Sequence, residues 1–197
     1  MQRLILISSF FLTIILSVAN GIFAETIKGE VSSSRLKSPK DILVYIEKIE
    51  GNEFSPAQEP AKMDQKSLVF TPRVLPVLAG SAVNFHNSDE LKHNVFGVGD
   101  DDFDLGVWTK GIVKTYTFNK LGEVAILCNV HPEMEAYIVV LQNPYFALTD
   151  EQGKYEIKDA PAGKYKLKTW HERLRPVIKD IEVPRSEELK VDFELKR

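Results

Sequence analysis

A short segment near the middle of the chain, CNVHPEM at residues 128–134, carries a thiol, an imidazole and a thioether at two-residue gaps. His93 supplies another imidazole from a different part of the chain. If these side chains share one site, the fold must hold two distant segments together on rigid elements. It must do so without an intramolecular disulfide, because Cys128 is the only cysteine.

The four side chains form a recognisable ligand set. A thiolate from Cys128 and imidazoles from His93 and His131, with Met134 as a weak axial thioether, match a blue-copper electron-transfer site. Zinc fits less well, because its protein sites use cysteine, histidine and carboxylate rather than thioether. Each residue alone is more often a buried thiol, a turn histidine or a core methionine. Their joint spacing predicts one type 1 copper ion.

Longer stretches around these residues resemble the cupredoxin family, and within it the amicyanin and plastocyanin group. The resemblance covers residues 61–143 and includes Phe70-Thr71-Pro72, Val77 to Val83, Asn87, His93-Asn94-Val95, Tyr116-Thr117-Phe118, Gly122, Cys128 to Met134 and Ile138 to Val140. It implies a Greek-key sandwich in which Asn94 ties the His93 loop to the Cys128 loop and helps to hold the thiolate. Pro132, immediately after His131, removes one backbone donor close to the ligand loop, which could raise the reduction potential by leaving fewer hydrogen bonds near the sulfur; stiffening of the loop is the alternative explanation.

The rest of the sequence predicts an all-β protein. Apolar and polar residues alternate with period two at Val113–Phe118, at 164–168 and at 190–195, and short apolar runs at Ile42–Ile46, Val124–Leu127 and Tyr137–Leu141 suit buried strands. Turn signals rich in glycine, proline and asparagine separate these segments.

Residues 144–197 resemble the carboxypeptidase regulatory-like, or transthyretin-like, sandwich domains, but they lack the opening strand pair of those domains. Residues 25–60 contain such a pair, with Ile27–Val31 followed by Ile42–Ile46. We therefore expect the 61–143 domain to be inserted into a second, small β-sandwich, since insertion into a surface turn is well tolerated. The alternative is an N-terminal extension that packs on the copper domain beside a separate C-terminal module.

The N-terminal residues predict export. Residues 1–24 combine Arg3, an apolar run from Leu4 to Val18 and a small-residue end at Ala24, as in a cleaved signal peptide. An uncleaved anchor is the alternative, but the run is shorter than the ~20 residues that span a bilayer. We expect a periplasmic or otherwise exported soluble protein, where binding a metal would protect the lone thiol. With a net charge of −3 and no basic cluster, nucleic acid is not an expected partner.

These features predict a protein that carries single electrons between redox partners such as a cytochrome or a dehydrogenase. The alternative is a copper-delivery or partner-docking module with a non-catalytic copper site. An enzyme is not expected, because a further copper cluster needs many histidines and only His86 and His171 remain. Asp100, Asp101, Asp102 and Asp104 could bind calcium or a basic partner, although a solvated loop is the simpler interpretation.

Overall fold

The computed structural model describes residues 25–185 and 188–196, which form strands joined by turns. The predicted signal peptide lies outside the described residues. Within these ranges there is no helix long and apolar enough to cross a membrane, and the all-β prediction is confirmed. The described strands are β1 (Glu25–Ser32), β2 (Leu43–Ile46), β3 (Ala61–Lys66), β4 (Val69–Thr71), β5 (Val74–Leu78), β6 (Ser81–Asn87), β7 (His93–Gly99), β8 (Phe103–Trp108), β9 (Val113–Phe118), β10 (Gly122–Leu127), β11 (Glu135–Leu141), β12 (Phe146–Leu148), β13 (Lys154–Ala160), β14 (Gly163–Trp170), β15 (Ile178–Val183), β16 (Leu189–Lys190) and β17 (Phe193–Glu194).

Strands β3 to β11 form two facing sheets, which we call the central sandwich. One sheet has the order β5-β11-β10-β7-β8 and the other the order β4-β3-β6-β9. Met63 and Phe85 from the second sheet and Val124 and Ile138 from the first are fully buried in one shared core. Strands β5 and β11 run parallel, while β10 pairs antiparallel with both β11 and β7.

The remaining strands form two further sheets, which we call the terminal sandwich. Strand β1 pairs with β13, β16 and β17, while β2 lies between β12 and β14, with β15 outermost. Segments on both sides of residues 61–143 therefore contribute to the same sheets. One core, which includes Ile27, Val44, Ile157 and Leu167, fills the space between them. The domain bounds near residues 60 and 143 stay a prediction.

The two sandwiches share an apolar interface, which explains why some strands read as continuous apolar runs. On β11, Ile138 and Val140 point into the central core, while Val139 and Leu141 join a separate cluster with Leu43. That cluster also contains Val74 and Trp170 and lies between the two sandwiches. Because neighbouring strand residues point to opposite faces, a strand buried on both faces must be apolar throughout.

The last predicted strand is shorter in the structure than the alternation at 190–195 suggests. It is divided into β16 and β17, because the Asp192 side chain takes the place of a backbone partner. The Glu30 amide donates to Asp192 Oδ1 at 2.9 Å, while the Val191 amide donates to Lys28 O at 2.8 Å. A β-carbon at Gly29 would overlap the Val191 carbonyl, so this close approach requires glycine.

Replacing Gly29 by alanine should therefore destabilise the terminal sandwich. The obstacle is backbone rather than a movable side chain, so we expect a loss at the upper end of the ~1–3 kcal/mol typical of overpacking. Urea unfolding of Gly29→Ala measures the loss. Lys28→Ala is the matched control, because Lys28 is exposed on the same strand, and a Gly29→Ala variant as stable as this control would contradict the prediction.

Candidate metal centre

The β-sheet of the central sandwich brings the two predicted ligand segments to the same end. His93 is the first residue of β7, and residues 128–134 connect β10 to β11. Since β10 pairs antiparallel with β7, with Leu127 opposite Phe96, the end of one strand lies beside the start of the other. The register of this strand pair therefore places Cys128 close to His93.

Three of the predicted ligands meet at one point. Ligand atoms of His93, Cys128 and His131 all lie within 4.8 Å of one another. His131 Nδ1 is 3.0 Å from His93 Nδ1, and Cys128 Sγ is 4.0 Å from the same nitrogen. The His93 and Cys128 side chains are buried, whereas His131 is partly exposed. Two nitrogens and one sulfur thus converge at the edge of the core.

Asp89 fixes the orientation of His93 through a contact that the sequence did not predict. His93 Nε2 lies 2.9 Å from Asp89 Oδ2. An ionised carboxylate only accepts hydrogen bonds, so Nε2 carries the proton and Nδ1 presents its lone pair to the cluster. Asp89 and His93 are four residues apart in the sequence, and this short spacing was the signal that could have indicated their contact.

Asp89 is itself held as an anion by the turn between β3 and β4. Its oxygens accept hydrogen bonds from the amides of Ser67, at 2.6 Å, and Leu68, at 3.1 Å. Burial favours the neutral form, but these amides and the His93 ring more than offset it, so the pKa of Asp89 lies below its ordinary value. The carboxylate is therefore charged near neutral pH and remains an acceptor for His93.

Asn94 connects the two ligand segments directly. Its backbone amide lies 3.5 Å from Cys128 Sγ, and its side-chain oxygen accepts a hydrogen bond from the Asn129 amide at 3.1 Å. Its Nδ2 donates to Asp104 Oδ1 at 2.8 Å and to Gly106 O at 3.2 Å. Since both the oxygen and the nitrogen of the side-chain amide form hydrogen bonds, the position of the thiol is tied to β7 and β8.

Met134 is the last residue of the segment that connects β10 to β11. Its side chain is buried in the same core cluster as Cys128, and its amide donates to His131 O at 3.0 Å. This turn links Met134 to the partly exposed His131 across Pro132. Axial ligation by Met134 and the effect of Pro132 on the site stay predictions.

The other polar residues singled out in the sequence lie outside this cluster. His86 is on β6 and is partly exposed. His171 is buried, its Nδ1 accepts from the Arg173 amide at 3.1 Å, and burial lowers its pKa. In the acidic segment, Asp100 accepts from the Glu123 amide at 2.9 Å and Asp102 from the Gly99 amide at 2.8 Å. These two carboxylates stabilise the loop between β7 and β8.

The residues present fit a copper ion. The Nδ1 atoms of His93 and His131 face each other at 3.0 Å, with the sulfur of Cys128 beside them. The His93 nitrogen offers a lone pair because its other nitrogen is held by Asp89. Two imidazoles and a soft sulfur suit copper in both of its common oxidation states.

Comparisons with known proteins gave structural likenesses only. No family model matches the chain, and no curated protein matches it. A reduced mutant of amicyanin is 25% identical, with a TM-score of 0.40, over 44% of this chain and 91% of that protein. A purple cupredoxin from Nitrosopumilus maritimus is 18% identical, with a TM-score of 0.37, over 41% and 98% respectively.

A copper-containing nitrite reductase from Thermus scotoductus is 22% identical, with a TM-score of 0.41. That likeness covers 58% of this chain and 28% of the reductase. The three likenesses are weak and partial, so the assignment of the metal centre depends on its own geometry.

Removing the Asp89 carboxylate should weaken metal binding without removing a ligand. In Asp89→Ala the His93 ring loses the acceptor that fixes its tautomer, and we expect copper affinity to fall about 10- to 100-fold. Competition with a chelator of known affinity measures the change. The neighbouring Glu90→Ala is the control, because Glu90 is exposed and pairs with Lys110 instead. Equal affinities for both variants would show that Asp89 does not orient the ligand.

Proposed function

We propose that this protein is an exported, non-catalytic copper protein that carries single electrons between redox partners. The observation that supports it best is the convergence of His93 Nδ1, His131 Nδ1 and Cys128 Sγ within 4.8 Å. Met134 would complete a type 1 site as the axial ligand. Copper bound there would gain and lose one electron as it alternates between Cu(I) and Cu(II).

The protein's own contribution would be to keep the ligands still. Electron transfer is faster when the site changes little between oxidation states, so rigid donors are an advantage. Asp89 holds the His93 ring, and Asn94 holds the Cys128 loop through its amide and side chain. The Asn94 amide also points a donor at the sulfur, which helps to hold the Cys128 side chain in place. Burial of His93 and Cys128 keeps water away from two of the donors.

The surroundings of the site suit transient contact with another protein. Val130, beside His131, and Leu91, two residues before His93, are exposed apolar side chains. Contiguous exposed apolar surfaces commonly mark protein interaction sites, and we propose that these two side chains form part of one. We propose a redox protein such as a cytochrome or a dehydrogenase as the partner, and a periplasmic or similar location in which a lone cysteine gains from ligation.

For the terminal sandwich we propose a transthyretin-like domain interrupted by residues 61–143. Strand β1 pairs with β13 along most of its length, and β2 pairs with β14. A single core joins residues from both ends of the described chain. These pairings support an insertion rather than an N-terminal extension packed on the copper domain.

Titration of the purified protein with Cu(II) tests the proposed centre. We expect an intense thiolate-to-copper absorption band and narrow copper hyperfine splitting in the EPR spectrum. Cys128→Ser should remove the band, because an alcohol oxygen cannot replace the thiolate. His86→Asn should keep it, since His86 lies outside the cluster. A wild-type protein without the band would refute a type 1 site.

Cyclic voltammetry of Met134→Gln tests the axial ligand and the carrier role together. A thioether favours the soft cuprous ion, so glutamine should retain the copper–thiolate band while lowering the reduction potential. An unchanged potential would show that Met134 is not a ligand. Slow or irreversible cycling of the wild-type protein would instead favour the alternative of copper storage or delivery.

A further inference from the structure

Arg73 of the central sandwich forms hydrogen bonds with Glu135, the residue that follows Met134. Arg73 Nη1 donates to Glu135 O at 3.3 Å, and Arg73 Nη2 donates to Glu135 Oε2 at 3.1 Å. The Tyr137 amide donates to Arg73 O at 2.8 Å, and the Tyr137 hydroxyl donates to Glu135 Oε1 at 2.7 Å. The first residues of β11, directly after Met134, are therefore fixed by both main-chain and side-chain contacts.

The same guanidinium is held by the terminal sandwich. Arg73 Nη2 also donates to Glu172 Oε1 at 3.0 Å, and the Glu172 side chain is only 6% exposed. Burial raises the pKa of Glu172, but Arg73 and nearby donors outweigh it, so the net pKa is below its ordinary value. Separating the two would cost free energy, because the buried carboxylate would be left with Arg173, an exposed side chain whose Nε lies 3.4 Å from Glu172 Oε1.

The surface around this ion pair is packed. The rings of Tyr137 and Trp170 meet edge to face with centroids 5.4 Å apart, and the Arg73 guanidinium lies 5.7 Å from the centre of the Tyr137 ring. Trp170 belongs to the apolar cluster between the two sandwiches and donates its indole N–H to Glu123. Glu172 follows β14 by two residues, so its position is set by the terminal sandwich.

We propose that Arg73 and Glu172 are positioning residues through which the terminal sandwich fixes the position of Met134 in the metal centre. The chain of contacts runs from Glu172 to Arg73, from Arg73 to Glu135, and from Glu135 along the backbone to Met134. The role of Met134 as axial ligand rests on the proposed function. The mechanical link between the sandwiches does not, because it concerns the protein without metal.

This arrangement gives the terminal sandwich a part in the properties of the site. Strand β11 can shift at its start only if Arg73 releases Glu135, and Glu172 opposes that release. Loss of the contacts of Arg73 with Glu135 and Glu172 should therefore loosen the turn from His131 to Met134. This turn is closed by the hydrogen bond from the Met134 amide to His131 O. His93 and Cys128 are held by other contacts and should be less affected.

Hydrogen exchange of the metal-free protein tests the link directly. Exchange of the Met134 amide is compared with that of Gly80, whose amide donates to Phe118 O in the same sandwich. Arg73→Lys keeps the charge but loses the forked geometry, and Glu172→Gln removes the buried partner. In each variant we expect the Met134 rate to rise roughly tenfold relative to Gly80, as for a coupling of about 1.4 kcal/mol.

The double variant and a control complete the test. If Glu172 acts through Arg73, combining the two substitutions should add little to either alone. Asp180→Asn, which removes an exposed partner of Lys166 on the terminal sandwich, should leave the ratio unchanged. An unchanged ratio in both single variants, or fully additive effects, would overturn the proposal.

The copper-loaded protein supplies a second readout. Arg73→Lys preserves net charge, so a shift of its EPR spectrum or reduction potential from wild type would reflect the geometry of the turn that carries His131 and Met134. Spectra and a reduction potential identical to those of the wild type would show that the contacts of Arg73 with Glu135 and Glu172 do not affect the metal centre. Absence of the blue band in the wild-type protein would refute the proposed function alone, because the exchange ratios in the metal-free protein are independent of it.

Discussion

The hydrogen bonds of Asn94 are the contacts on which the rest of the metal centre depends. Strand pairing brings β7 and β10 together, but it leaves the segment after β10 free to turn in several directions. Asn94 removes that freedom by accepting from Asn129 and by directing its own amide at Cys128 Sγ. Asp104 in turn holds the Asn94 amide in the required orientation. A carboxylate on β8 thus fixes an asparagine on β7, which fixes the thiol.

Burial on both faces of β11 has a comparable role at the other end of the loop. Its side chains enter the central core and the interface with the terminal sandwich in alternation. A strand enclosed in this way cannot tilt without disturbing two apolar clusters, so it gives the loop from Cys128 to Met134 a firm end. The interface therefore serves the site as well as the stability of the chain, and Arg73 adds a polar contact at its rim.

The features predicted correctly from sequence are those with a local pattern. Alternation and apolar runs identified strands such as β9, while metal ligation by residues of the segment from Cys128 to Met134 stays a prediction. The contacts missed are polar: Asp89 reaches His93 from the loop before β7, and Glu172 reaches Arg73 from the turn after β14. The alternation at 190–195 predicted one strand, yet Asp192 divides it by accepting from a neighbouring backbone amide. Such side-chain substitutions for backbone partners depend on tertiary structure and leave no periodic signal.

The four proposed ligands therefore depend on different parts of the molecule. His93 and Cys128 are positioned within the central sandwich, by Asp89 and Asn94. Met134 directly precedes β11, the strand that both sandwiches enclose. Its neighbour Glu135 is held by hydrogen bonds from Arg73. In a type 1 site the axial thioether bonds weakly and tunes the potential, so small changes in its position matter more to potential than to binding. On the proposed function, His93 and Cys128 are held within one sandwich, while the turn that carries His131 and Met134 leads into a strand held by both, which gives a physical reason for joining the two sandwiches in a single chain.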